Sequence, residues 1–584
     1  MATDLDRVIK TPGVLEQITE RLGQWWTKLS PFFNEYEEYA DSYRLVEKKR
    51  TSPSQSPRTR VGETIRATEA LTTSIYRMQT AQDPAYDLVS MNASQTAQEL
   101  FNAHMLLRWQ DGVTRYKKNL LRADRGCVLF GTQFVETPWI REMRHGRLLW
   151  ESLGFVPRSL LQTAFDATLL SLDRLPWIAF IDYMNEDQLL DLSETDPDNW
   201  NPAQIQKAIT DYKGAAMSTY SQNLQNRRQK AGYMDGPDYE VVTYYGRLRD
   251  LRRADNRAWG LRIINEQIPV SAFGNPSPTG KLPYHAATLL DFELEPLGRG
   301  VGSLGKVAQR ELDSNRSDYS GIEKMALMNM WIKTKMSGVR NADLRVRPLG
   351  VIEVDDLNSL KPHSPDLRAI EYGLKIEEVY RSEHQGNTGA VPGLQAQTTD
   401  VSATEAGIAQ NEAIRRVAVM AEGMSESFVG DHQQEKHDYN RDWFEPDLFL
   451  AVTNQPKPTR VNRFNIARDV AAVVKMVTDK DFRPQRLKNI MTAIQILGSI
   501  RQRPNLRIDD TQLYEEAFRA LDINPKLIIH EDNDLSKQSV LNFMLQARQN
   551  AVNARGELGG DIAAESEGVV DNAMTPVGEI GLTP

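Results

Sequence analysis

Cysteine is nearly absent from this 584-residue chain, with Cys127 the only one. A single thiol forms neither an internal disulfide nor a cysteine-based zinc site, so synthesis in a reducing cytoplasm is the simplest expectation. Long apolar runs are missing as well. No stretch approaches the ~18 consecutive apolar residues of a membrane helix, so no membrane partner is expected. The opening MATDLDRVIKTPGVLEQ has no apolar core of the kind a signal peptide carries. Nor is there an excess of positive charge. The net charge is −9, which argues against a broad basic face that grips nucleic-acid phosphates. The last stretch, Gly556–Pro584, has no Lys or Arg and six acids, and reads as weakly structured. What remains, 40% apolar and 26% charged residues, is a globular composition, and the length predicts several domains.

Catalytic patterns are also scarce. The stretch GRGVGSLGKVAQRELDSN places Gly300, Gly305 and Lys306 at the spacing of a phosphate-binding loop, G-x-x-x-x-G-K-[ST]. The next residue is Val307, which has no hydroxyl to ligate magnesium. The preceding ATLLDFELEPLGRG carries Asp291, Glu293 and Glu295 at alternate positions, the pattern of a half-exposed strand rather than a buried parallel one. A glycine-rich hinge entering a helix is the expected reading. In DHQQEKHD, His432 and His437 are five apart, off the shared helix face that a His-Glu-x-x-His zinc site needs; a solvated polar face is expected there. Asp355-Asp356 has no framing histidine or acid pattern. No serine–histidine or cysteine–histidine nucleophile stands out. The expectation is therefore no catalytic residue, no metal and no cofactor.

The order of elements says more. Residues 13–50 read as two helices broken at Ser30-Pro31, the second rich in aromatics (Phe32, Phe33, Tyr36, Tyr39, Tyr43), and Trp25-Trp26 reads as packing. A helix is expected over 62–79, a strand in AYDLVSMN, and one long amphipathic helix over 94–124. Strands are expected in RGCVLFGTQFVETPWI, RLLWESLGFVP, RLPWIAFIDYM, DYEVVTYYGRLRDL, RAWGLRIINEQIPV and LPYHAATLLDFELEPL, with helix over 202–230. The first 300 residues thus form a mixed α+β domain of antiparallel character. A helix then runs from Ser303 to about Trp331, followed by a short β-like insert and a helix over 366–385. GNTGAVPGLQAQTTD follows, and then a helix from Ser402 to Phe444 with an apolar stripe of Ala413, Val417, Met420, Met424 and Phe428. Ser402 and Glu405 have capping-box spacing. Residues 466–555 read as mostly helical.

This order resembles the portal proteins, or head-to-tail connectors, of tailed double-stranded DNA phages, most closely those of short-tailed phages. The segments that carry the likeness are LGRGVGSLGKVAQRELDSN, the insert after MALMNMWIKTK, DVSATEAGIAQNEAIRR, and SQTAQEL followed by GCVLFGTQFVETPW. The resemblance spans nearly the whole chain and departs in the N-terminal arm and the acidic tail. It implies an α+β portal fold. Residues 1–301 would be the wing, 302–331 the first stem helix, 332–364 the clip, 365–385 the second stem helix and 386–401 a tunnel loop. Residues 402–465 would be a long helix with a wing return, and 466–584 a helical crown with the acidic tail.

The implied function is a dodecameric ring at one capsid vertex of the virion, assembled in the host cytoplasm, through which double-stranded DNA enters and leaves. Its implied partners are a terminase motor, tail adaptor proteins, and the major capsid and scaffolding proteins. Asn387, Thr388, Gln395, Gln397 and Thr398 would meet DNA transiently. Lys335, Arg340, Arg345, Arg347, Asp355 and Asp356 of the clip would dock partners or form intersubunit ion pairs, and Leu312 and Ile322 would pack stems around the ring. Charge fits a conduit that lets DNA slide. Residues 402–444 carry eight acids and four bases, the loop 386–400 has Asp400 as its only charged residue, and the clip has six Lys/Arg against four acids. The alternatives are another oligomeric virion protein, such as a tail adaptor or internal core component, and a nucleotide-binding enzyme.

Overall fold

The computed structural model describes residues 2–46, 59–92, 95–144, 147–169, 171–197, 199–212, 239–249, 251, 257–292, 295–328, 330–333, 360–363, 368–388, 415–450 and 459–475. All of them lie in one compact unit, Met1–Leu450 with Thr459–Asp479. The architecture is α+β, with several small antiparallel sheets.

Helix α1 (Ala2–Lys10) leads into α2 (Val14–Arg44). Val14, Ile18, Leu22, Trp25, Leu29, Phe33 and Tyr36 form the buried stripe of α2, at the three-to-four-residue spacing of one helix face. The expected break at Pro31 does not occur. Proline removes the N–H that would bond the carbonyl of Thr27, but Ser30 Oγ donates to that carbonyl in a long 3.5 Å contact. The ring of Pro31 sits on the exposed face, and the stripe continues beneath it.

Helix α3 (Glu63–Thr80), β1 (Tyr86–Ser90), α4 (Ala97–Val113) and α5 (Tyr116–Phe130) follow. The single helix expected over 94–124 is thus two. Arg115 adopts a left-handed backbone, φ 53°, and Thr114 closes the first helix by donating both its N–H and its Oγ1–H to Gln110 O, at 2.9 and 2.8 Å. Cys127, placed in a strand by its apolar neighbours, is buried in α5 instead.

Strands β2 (Thr132–Glu136), β3 (Trp139–Arg144), β4 (Arg147–Leu153), β5 (Val156–Arg158), β6 (Thr163–Phe165) and β7 (Trp177–Met184) precede α6 (Glu186–Thr195) and α7 (Pro202–Tyr212). Then come β8 (Tyr239–Gly246), β9 (Trp259–Ile264), β10 (Ile268–Gly274) and β11 (Tyr284–Thr288). The largest sheet has the order β10-β9-β8-β7-β6, and β11-β2-β5 forms a second. All eight residues of β8 are buried, because the large sheet is covered on both faces. Val242 and Tyr244 join the core built on α2, whereas Tyr239 and Val241 join Leu189, Trp200 and Ile205 of the α6–α7 region. An antiparallel strand covered twice loses its polar alternation.

Helices α8 (Val301–Leu304) and α9 (Lys306–Met328) meet at Gly305. A ribbon of β12 (Met330–Lys333) with β13 (Leu360–His363) follows, then α10 (Arg368–Thr388). Helix α11 (415–425) passes through a π-helical turn, Glu426–Asp431, into α12 (His432–Trp443). Strands β14 (Leu448–Leu450) and β15 (Thr459–Val461) pair, and β16 (Val470–Val474) pairs antiparallel with β1, so helix gives way to strand at 470–474. Val417, Met424 and Phe428 are buried as their spacing predicted. Ala413 and the Ser402–Glu405 box lie outside the described residues.

Candidate functional site

The stem-like hairpin begins where two glycine-containing segments cross, one at Gly131 and the other at Gly298 and Gly300. Gly131 adopts φ 88°. A β-carbon at Gly300 would lie 2.7 Å from Val128 O and 2.8 Å from Leu129 O, and one at Gly298 would lie 2.7 Å from Gly131 O. Glycine is required here because backbone approaches backbone. The preceding strand β11 runs antiparallel to β2, and the Lys306 ammonium contacts Glu35 Oε1 at 2.8 Å while Val307 is 67% exposed. The glycines of GRGVGSLGK therefore pack a chain crossing, and its lysine joins two helices.

Above this crossing a series of polar contacts roots the hairpin. Arg310 makes two bonds to Glu38, 2.8 and 2.6 Å. Thr64 donates from N and Oγ1 to Gln309 Oε1 at 3.1 and 2.9 Å, and Gln309 in turn donates to Val61 O at 2.8 Å. Asp313 accepts from Val61 N at 2.8 Å. Across the hairpin, Glu377 binds Arg381 at 2.8 Å and Arg316 at 3.4 Å and accepts the Tyr319 hydroxyl. Arg381 also reaches Glu63. Gly373 lets α10 close on Tyr319, whose Cδ1 lies 2.9 Å from the position a β-carbon would take. His384 is fully buried against Gly305, and burial lowers its pKa.

These anchors were not singled out in the sequence. The i, i+4 pair Glu377–Arg381 was readable as a local helix contact. Glu63 showed only its local contact with Arg66; its bond to Arg381, the bonds of Arg60 to Ser42 and Val46, and the packing of His384 on Gly305 arise only in the fold.

The expected site residues fall as follows. Leu312 is 0% exposed within the single chain, so its stripe faces the chain's own interior rather than a neighbour; a buried apolar face already satisfied inside the subunit is not a contact surface. Ile322 lies on α9, with its side chain outside the described ones. Asn387 and Thr388 belong to the last turn of α10 rather than to a loop, since Thr388 is 1% exposed and its Oγ1 donates to His384 O at 2.8 Å. Gln395, Gln397, Thr398, Lys335, Arg340, Arg345, Arg347, Asp355 and Asp356 lie outside the described residues.

The expected solvated face at 431–438 is a correction. Helix α12 buries His432, Gln433, Glu435, Lys436, His437 and Asn440. Lys436 Nζ contacts Asp111 Oδ1 at 2.6 Å, and Asn440 and Gln110 exchange amide bonds of 2.7 and 2.8 Å. His437 Nε2 donates to Ala467 O at 2.8 Å. His285 Nε2 lies 3.0 Å from Glu435 Oε2. His432 stacks on Tyr116 with ring centres 5.3 Å apart. Burial, then Lys436 and His285, hold its pKa well below the usual histidine range. Their partners offset the burial of Lys436, His437 and Asn440, whereas neither ring nitrogen of His432 is bonded among the described residues.

Among the described residues no group of three or more His, Cys, Asp or Glu side chains is arranged to hold a metal, and no helix is long and apolar enough to cross a membrane. No protein-family model matches the chain, and no curated protein matches it.

Proposed function

We propose that this chain is the portal subunit of a tailed double-stranded DNA phage: a ring-forming structural protein that channels DNA into and out of a capsid and docks a terminase and a tail adaptor. The observation that carries the reading is the helical hairpin α9–α10. It is tipped by the β12–β13 ribbon and rooted in an α+β body by Glu35, Glu38, Glu63 and Asp313. A stem must transmit load between a docking tip and a body, and rows of charge-assisted bonds along both helices suit that task. The segment 389–414 then leads from α10 to α11, the place of a tunnel loop in that fold. On this reading 1–301 is the wing, 302–388 the stem and clip, and 466–584 the crown.

Negative-stain imaging of the purified protein tests it. A mushroom-shaped ring with a central hole is expected. Monomers, solid particles, or saturable nucleotide hydrolysis without a terminase overturn it.

A further inference from the structure

We propose that His432 is an acid-operated latch: its neutral ring locks α12 and the π-helical turn onto α5 and β11, and the gain of a proton releases them. The proposal goes beyond the ring reading and does not depend on it.

Three parts of the body meet at this ring. From α5, Tyr116 stacks on it face to face, with the planes 4° apart. Phe155, between β4 and β5, meets it edge-on with ring centres 4.9 Å apart. From β11, His285 stands across it at 5.6 Å and 88°. His432 is 1% exposed. An aromatic slot suits a neutral imidazole. An imidazolium carries a second N–H and a full charge, and a buried charge without a partner is strongly unfavourable.

The neighbours do not supply that partner. The charged and titratable groups facing the ring are Tyr116, His285 and, one turn along α12, Lys436. Tyr116 donates its hydroxyl to Phe428 O at 2.8 Å. The Lys436 ammonium, 5.6 Å from the centre of the Tyr116 ring, repels a second positive charge. Both nearby carboxylates are engaged elsewhere. Asp111 accepts from Lys436 Nζ at 2.6 Å and from Gln433 Nε2 at 3.0 Å. Glu435 turns to His285, whose Nε2 lies 3.0 Å from its Oε2. Farther along α12, Glu151 of β4 pairs with Arg141 at 3.0 Å and Asp438 with Arg441 at 3.4 Å, and β16 brings only Val and Ala.

The latch sits beside a bending point. The π-helical turn Glu426–Asp431 ends where His432 begins, and helices kink at such turns. Two bonds tie the turn to the body, Ser427 Oγ to Ala286 O at 2.7 Å and Tyr116 Oη to Phe428 O. Each runs to a residue that packs on the His432 ring or adjoins one, so expelling the ring loosens both. In the opened segment His432 titrates near the ordinary histidine value of about 6.5, whereas the closed segment holds it neutral well below that. Above about pH 6.5 the latch therefore stays shut. As pH falls below that value the opened form takes up a proton that the closed form refuses, and the opening equilibrium rises by up to about tenfold per pH unit.

Hydrogen exchange of the full-length protein, read by mass spectrometry from about pH 7 to about pH 5 and corrected for the intrinsic pH dependence of exchange, tests this. Amides of 426–440 should lose protection as the pH falls, while those of β7 and β8 keep theirs. His432→Phe keeps an aromatic ring on Tyr116 and takes no proton, so its protection at 426–440 should not change with pH. His432→Gln, a smaller neutral side chain, should open more at every pH but show the same flat response. His437→Gln alters the other buried histidine of α12 and should leave the wild-type response intact. The proposal is overturned by full protection of 426–440 down to about pH 5, by loss of protection along the whole chain at once, or by a response that survives in both His432 variants. A response abolished by His437→Gln alone also overturns it, by moving the titration to that residue.

Discussion

Arg381 Nε lies 2.8 Å from Glu63 Oε1, joining the outgoing helix of the hairpin to the first residue of α3. The Glu63 side chain is 1% exposed and that of Arg381 37%. Glu63 also accepts from Arg66 at 3.0 Å, and Arg381 from its other nitrogen reaches Glu377 at 2.8 Å. A carboxylate at a helix N-terminus is favoured by the helix dipole, but a buried one depends on its donors. Arg381→Ala should lower unfolding free energy by about 1.5–3 kcal/mol, read from urea unfolding. Adding Glu63→Gln should cost less than the sum of the two single changes, because the two residues act as a pair.

The junction of α8 and α9 should be equally sensitive to one methyl group. Gly305 has φ −88°, a conformation open to any residue, so the requirement for glycine is steric. A β-carbon there would fall on the ring of His384, which is fully buried. Gly305→Ala should destabilise by about 1–3 kcal/mol through overpacking. His384→Ala in the same chain should recover most of the loss, and a double-mutant cycle by chemical denaturation checks the coupling.

Apolar periodicity made much of this fold readable. It located the buried stripe of α2, the apolar runs of β7 and β8, and the Val417–Met424–Phe428 face. It failed wherever the deciding partner is distant. Nothing local distinguishes His432–Asn440 from a solvated helix, since its burial depends on Asp111, Gln110 and His285. The helix break at Arg115 has no Pro and only Gly112, in the last turn before it, as a local signal. Pro31 gave a break signal that long-range packing overrode. The candidate site was legible as an order of elements, helix, insert and helix, but not as residues, because Arg60 and Asp313 come together only in the fold.

Asp124 gives the chain a pH dependence of opposite sense to that of an ordinary ion-paired carboxylate. Its side chain is fully buried on α5, and Gln79 is the one side chain that offsets part of the cost of its charge among the described residues. Burial pushes its pKa well above the usual range. Above the ordinary carboxyl range the unfolded chain ionises while the folded chain keeps the proton, so stability falls as pH rises through that window. Asp124→Asn removes the titration and keeps the shape. It should raise the thermal midpoint at pH 8 and leave it nearly unchanged at pH 4. A gain of equal size at both pH values would show that the effect is packing rather than protonation.

The segment after α10 offers the sharpest test of the portal reading. Helix α10 ends at Thr388, which is buried and bonded to His384 O at 2.8 Å, so a deletion starting at Gly389 leaves the helix closed. Residues 389–400, GAVPGLQAQTTD, hold two glycines, one proline and one charged residue, Asp400. Such a composition makes weak contacts and has few apolar side chains to bury, Val391 and Leu394 being the largest. The root of the hairpin, from Lys306–Glu35 to Arg381–Glu63, lies entirely outside it. Removing 389–400 should therefore leave the subunit folded, the ring assembled and the ring incorporated into capsids. The defect should appear later, as incomplete packaging or loss of packaged DNA, measured as DNA content per purified particle. Full-length genomes stably retained by the deleted protein would overturn the assignment of this segment to the channel. Failure to form rings would place it in the contact between subunits instead.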